Sequence, residues 1–363
     1  MRQLILIFLL FISANLFAQD TATTQSIASE HVAVEASSSH AKEHTKGGQE
    51  EKASPVDVIM HHVADANHIE VLHHVYFPLP CIIYNKKNGK LDIFMSSKLA
   101  HNKEYNGYVM HHDRVVPING EKSDIIDFSI TKNVFTMLLG VLLLTLAFSI
   151  VVRRYKRDSN VAPKGFQALF EPIFLYIYED VIKQNLGKKA DKYAPYLFSL
   201  FFFILIINLL GLIPFFPGGA NASGNISFTA VLAVCTFLVI TLNGNKHYWH
   251  HIFAMPGVPK WVLVILTPVE IAGMFVKPFA LAMRLFGNIT SGHVVILSLV
   301  SLIFILGKNG ESLGGAFAGT AMAVPFVLFM SALELLVAFL QAYIFTLLSA
   351  IFISSAVAED EHH

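Results

Sequence analysis

Two apolar runs near the C-terminus, residues 261–307 and 313–357, constrain this chain more than any other feature. As a helix rising about 1.5 Å per residue, the first would reach about 70 Å, more than twice a hydrocarbon core of about 30 Å. Such a run either tilts strongly or breaks, a break being expected near Gly287 and Gly292. A break would reverse the direction of everything that follows. A long tilted helical hairpin is the expectation, with the short loop GKNGE at 307–311 outside and the C-terminus returned to the cytoplasm.

Composition agrees with a membrane protein. The chain is 54% hydrophobic and 14% charged with a mean hydropathy of +0.55, against about 25% charged residues in soluble domains. The formal net charge is zero, so nothing in the balance supports nucleic-acid binding. Three further spans are read at 134–152, 196–214 and 227–242. The first stops at RRYKR, residues 153–157, and residues 153–192 carry nine Lys and Arg whereas FFPGGANASGNI carries none, so the basic end is cytoplasmic. The stretch FQALFEPIFLYIYEDVIKQNLGKK, residues 166–189, is too polar to span and reads as an amphipathic interfacial helix. The fold class is therefore all-α and polytopic, with about five membrane-embedded helices, the interfacial helix and a small exported N-terminal region that is partly β.

Residues 1–18, MRQLILIFLLFISANLFA, have the pattern of a secretory signal peptide, an uncleaved signal anchor being the alternative. Residues 19–53 are polar and bury too little to fold alone, which predicts a flexible tail. From 54 to 125, short apolar runs such as VYFPLPCIIY alternate with turn-rich stretches such as NKKNGK, the texture of a small β domain. Its histidine pairs, His61/His62, His73/His74 and His111/His112, follow no Cys/His ligand spacing, so no metal site and no cofactor are expected. Cys81 and Cys235 lie in different regions and are not expected to pair. The Asn-x-Ser/Thr triplets at Asn221, Asn225 and Asn288 are discounted as chance matches.

The two long segments carry polar residues that need an account: Glu270, Lys277, Arg284, Asn288 and His293 on the first, Glu334 and Gln341 on the second. A permanent cation at membrane depth costs about 2.5–3.5 kcal/mol even on lenient scales, and ionisable residues there mark ion pathways. At about 100° per residue Glu270 and Arg284 fall near one face and Asn288 one turn beyond, while His293 is about half a turn out of phase with Arg284. Glu334 and Gln341 share a face. The bland alternative is helix glue, with Arg284 paired to Glu334. Lys277 can instead snorkel to an interface.

Together, KPFALAMRLFGNITSGH, NLLGLIPF and LQAYIFTLLSAIFIS resemble the a subunit of the F-type rotary ATP synthase over residues 130–363, the membrane domain. The resemblance implies a proton-translocating stator subunit that offers two half-channels to a c-ring, works beside a peripheral-stalk b subunit, and is not catalytic alone. It implies that Arg284 is the essential arginine facing the rotor carboxylates. It further implies that His293 and Glu334 line the outer half-channel with Asn208, Asn288 and Gln341 as polar neighbours, and that Glu270 serves the cytoplasmic one. Many relatives carry Glu at the 293 position and His at the 334 position; here the two are exchanged. Gly211 stands where some relatives have an acid and is given no role.

A bacterial inner membrane location is implied, with the N-terminal region outside. No phosphate-binding G-x-x-x-x-G-K-[ST] occurs. The rival readings are a stand-alone proton-coupled transporter, for which no internal repeat is visible, and a membrane haem protein, for which His293 is the only intramembrane histidine.

Overall fold

The computed structural model describes residues 65–358 except 73–74, 112–113, 119–124, 158–164, 214–221, 254, 256 and 308–311. The signal peptide and polar tail expectations, the pairs His61/His62 and His73/His74, His112 and Asn221 fall outside the described residues. Among the described residues, seven strands precede seven α-helices of eight residues or more. The strands are β1 His68–Leu72, β2 Val75–Pro78, β3 Pro80–Asn85, β4 Lys90–Met95, β5 Tyr108–His111, β6 Arg114–Pro117 and β7 Ile125–Asp127. The helices are α1 Lys132–Arg157, α2 Phe166–Tyr176, α3 Ala190–Leu212, α4 Ile226–Asn243, α5 Lys246–Phe253, α6 Lys260–Leu306 and α7 Leu313–Val357. Five helical stretches among the described residues are long and apolar enough to cross a membrane. The chain is a polytopic membrane protein.

No break falls at Gly287 or Gly292: α6 runs through both, and through Pro268 and Pro278, as α7 runs through Pro325. Prolines are tolerated inside such helices because neighbouring groups satisfy the freed carbonyls. Hydroxyls follow the same economy. Thr145, Thr346, Ser349 and Ser298 each donate to the carbonyl four residues earlier, at 2.7–2.8 Å, which keeps them satisfied without water.

The chain divides into two compact units. One comprises Asn133–Gly292 and the described residues from Phe329 onward. Its central helix is α3, whose Leu197, Phe201, Ile204 and Ile207 are fully buried. The stretch expected as an interfacial helix lies against it. Phe174 stacks on Phe198 at 3.8 Å, Phe170 on Phe202 at 5.3 Å, and Ile177, Val181 and Ile182 are fully buried in a π-helical turn, Ile177–Lys183. The second span starts earlier than the hydropathy pattern places it, at Ala190 instead of 196, because Gly187, at φ 50°, turns the chain into α3 directly. Gly140 of α1 meets Ile207 closely enough that a Cβ there would sit 2.6 Å from its Cδ1, the close approach that small residues permit between membrane helices. Asn225 caps α4, its Oδ1 accepting from the Ser227 N–H at 2.9 Å. Small side chains on α7, Ala338, Ala342, Thr346, Ser349 and Ala350, recur at three- and four-residue spacing and are fully buried.

The other unit comprises the described residues up to Lys132 together with His293–Leu328. Here β4, β3 and β7 form one antiparallel sheet, and β1–β2 and β5–β6 are separate hairpins. The period-2 alternation sends Cys81, Ile83, Phe94 and Ile125 into a core with Leu99, Tyr108 and Val115. Tyr108 places its ring there and donates its hydroxyl to Asp92 Oδ2 at 3.0 Å. The β3–β4 turn is set by Asn85, whose Oδ1 accepts from Lys87 and Asn88 N–H groups, and by Gly89 at φ 60°. Both cysteines are free.

Candidate functional site

Asn208, Asn288, Glu334 and Gln341, four of the eight polar residues singled out in the sequence, come together where α3, α6 and α7 meet. Asn288 Nδ2 donates to Gln341 Oε1 at 2.9 Å. Asn208, 2% exposed, donates through Nδ2 to the Ala338 carbonyl at 3.1 Å. That carbonyl is one turn beyond Glu334 and is reachable because residue 338 is alanine. Asn208 Oδ1 has no hydrogen-bond partner among the described residues. Glu334 is 5% exposed, and a Cβ on Gly292 would stand 3.0 Å from its Oε1. Glu334, the Ala338 carbonyl and Gln341 therefore follow one another along one face of α7, each met by a group on α3 or α6. Thr290 adds a bond from its hydroxyl to the Gly224 carbonyl at 3.3 Å.

Arg284 stands one turn before Asn288 and is exposed. Among the described residues it makes no hydrogen bond and no ion pair. The helix-glue alternative, Arg284 bridged to Glu334, is therefore not what the structure contains. His293 belongs to the other unit, where it is half-buried on α6.

Glu270 is half-buried, two turns before Lys277. A small cavity near them is lined by Phe237, Ile240, Tyr248, Lys277, Phe352 and Ser355. The Lys277 ammonium stands 5.5 Å over the Phe352 ring, so its stem lies along protein. Burial first, and the Glu270 carboxylate second, push the Tyr248 phenol above its ordinary pKa. Neither Tyr248 nor Gly292 has a site role in the sequence reading. Nothing in spacing signals Tyr248, whereas a glycine inside a long helical run hints at close approach. Among the described residues no three His, Cys, Asp or Glu side chains group as a metal site needs.

A family model described as ATP synthase A chain matches residues 134–354. The chain belongs to that family. A relative from Chlorobium phaeobacteroides strain BS1, named ATP synthase subunit a, is 37% identical over 99% of this chain and 93% of its own length. One from Chlorobaculum tepidum, named ATP synthase subunit a 2, is 44% identical over 65% of this chain and 66% of its own. One from Myxococcus xanthus, named ATP synthase subunit a, is 39% identical over 69% and 80%. The β region carries a separate match: a model described as a domain of unknown function (DUF8433) covers residues 58–135. The Asn208–Glu334–Gln341 cluster and Arg284 all lie inside the ATP synthase A chain match.

Proposed function

We propose that this chain is the stator subunit through which protons reach and leave the c-ring of an F-type ATP synthase, with a peripheral-stalk b subunit as a second partner. Arg284 carries the reading. Its guanidinium lies on a membrane helix with no carboxylate to meet it among the described residues, and an uncompensated cation at that depth is costly. A rotor carboxylate passing in front of it supplies the missing charge. Because a guanidinium stays protonated even when poorly solvated, Arg284 displaces the proton from that carboxylate and blocks direct passage between the two half-channels.

Protons arrive through the outer half-channel by way of His293 and Glu334, with Asn208, Asn288 and Gln341 orienting the path, and leave past Glu270. Imidazole and carboxylate have reference pKa values of about 6.5 and 4.3 and pass a proton in either order, so the exchange of residue types at 293 and 334 preserves the relay. The N-terminal region lies outside and the C-terminus in the cytoplasm. ATP chemistry belongs to other subunits.

The test is ATP-driven acidification of inverted membrane vesicles carrying Arg284→Ala in the assembled complex. Loss of acidification is expected; normal pumping overturns the assignment. Arg284→Lys separates permanent charge from charge alone, and is expected to pump poorly.

A further inference from the structure

The three-stranded sheet β4–β3–β7 has a second face that the core does not use. Register pairs Ile82 with Ile93, Tyr84 with Leu91 and Pro80 with Met95, and Tyr84 with Ile126 on the other side. These positions alternate with the core residues Cys81, Ile83 and Phe94, so they share the outward face. Leu91 is 55%, Ile93 66% and Met95 42% exposed. Exposed apolar areas of this kind mark protein or membrane contacts.

Charge chooses between them. The outward positions of the three strands hold no acidic residue, since Asp92 and Asp127 fall on the core side, opposite Ile83. At the β3–β4 turn the face ends in Lys86 and Lys87. Apolar side chains edged by lysines suit an anionic lipid surface, where the chains enter the headgroup boundary and the ammonium groups meet phosphate.

Connectivity places such a surface within reach. Phe128 N–H donates to the Ile82 carbonyl at 2.8 Å, Ile130 N–H to Pro80 at 3.0 Å and Lys132 N–H to Ala66 at 2.9 Å. The chain is thus bonded to this unit up to the residue at which the membrane helix α1 begins. Only residues 128–131 separate β7 from α1, a span of at most about 14 Å when extended.

We propose that the outward face of β4–β3–β7 is a lipid-docking surface that seats Tyr84, Leu91, Ile93 and Met95 on an anionic bilayer surface, with Lys86 and Lys87 of the adjoining turn binding headgroup phosphates. The exported region then grips the membrane on its own account, a role separate from the ion path.

The test uses the full chain reconstituted in vesicles whose phosphatidylglycerol, or alternatively phosphatidylcholine, is brominated on its acyl chains. Ile93→Trp adds one indole to the face, and emission is read as the difference from the parent chain, which keeps its own Trp249 and Trp261. The added emission is expected to be blue-shifted and strongly quenched by brominated phosphatidylglycerol, and weakly by brominated phosphatidylcholine. Adding Lys86→Glu and Lys87→Glu should abolish the quenching, and high salt should reduce it. Red-shifted, unquenched emission would mean a face in water. Blue-shifted emission that neither lipid quenches would mean cover by a second copy or another subunit. Either result overturns the proposal. Leu91→Trp, on the same face, gives the same reading should Ile93→Trp not fold. Proton flow plays no part in the measurement, so its outcome leaves the Arg284 reading untouched.

Discussion

Gly292 and Glu334 face each other so closely that a methyl group on Gly292 would stand 3.0 Å from the carboxylate Oε1 and 3.2 Å from its carbon. A contact this tight makes the neighbour give by a few tenths of an ångström, and the atoms that must give belong to the Glu334 carboxylate itself. Gly292→Ala is therefore expected to cut ATP-driven proton pumping several-fold while leaving assembly intact. Shortening the acid should relieve the clash: Gly292→Ala with Glu334→Asp is expected to pump better than Gly292→Ala alone. Pumping equal to the parent in Gly292→Ala would show that the carboxylate's position is unimportant.

The Asn288–Gln341 hydrogen bond, 2.9 Å long, joins the helix of Arg284 to that of Glu334. Such bonds between membrane helices are worth about 0.6 kcal/mol on average and at most about 1.7 kcal/mol. Asn288→Ala, Gln341→Ala and the double variant, compared by unfolding in mild detergent, should show a coupling of about that size. Strict additivity would mean that the two amides do not act as a pair.

Much of this site is legible in the sequence because each polar residue stands alone in an apolar run. Helical phase by itself sorts Arg284, Asn288, Glu334 and Gln341, since a regular helix fixes which of them share a face. Length alone leaves α6 to tilt or to break, and its prolines, in a soluble helix, would argue for a break. Contacts are harder to read. Asn208 reaches a backbone carbonyl 130 residues away, and a carbonyl leaves no mark on the residue type except the small Ala338 that admits it. The π-helical turn at Ile177–Lys183 and the early start of α3 escape a hydropathy reading because hydropathy responds to Glu179, Asp180 and Lys183. The fold responds instead to the buried Ile177, Val181 and Ile182 between them.

In the β region, burial raises the Cys81 thiol to about 11, with the Asp127 charge adding to the effect and a hydrogen bond with Ser129 opposing it. A thiol raised in the folded state favours the folded state fully below the ordinary value near 9. That contribution is lost as pH rises through about 11. Unfolding of the β region, followed by near-ultraviolet circular dichroism of the full chain, should therefore become easier between pH 9 and 11, and Cys81→Ala should flatten that slope. Alkylation of Cys81 by iodoacetamide should remain slow at a pH where an exposed thiol reacts readily.

The last turn of α7 is held from three directions. The Asn245 backbone N–H donates to Ala356 at 2.9 Å and its Nδ2 to Val357 at 3.0 Å. Lys189 Nζ donates to Val357 at 2.6 Å, and the Ser354 hydroxyl to the Asn185 carbonyl at 2.6 Å. The first three bonds satisfy carbonyls that a helix C-terminus leaves open, and a lysine there also meets the negative end of the helix dipole. On the proposed role, in which a rotor passes the helices that carry Arg284 and Glu334, these bonds oppose a sideways push on α7 at this end. Lys189→Ala and Asn245→Ala are each expected to cost about 1 kcal/mol and to raise hydrogen exchange at residues 353–358 in the intact complex. Lys189→Arg should restore most of the protection because it keeps the charge and the donor. The pumping defect should be partial, well short of that of Arg284→Ala, and largest against a high proton gradient, when the force on α7 is greatest. Unchanged exchange at 353–358 in both alanine variants would mean that the end of α7 is held by packing of Ala350, Ile353 and Ala356 alone.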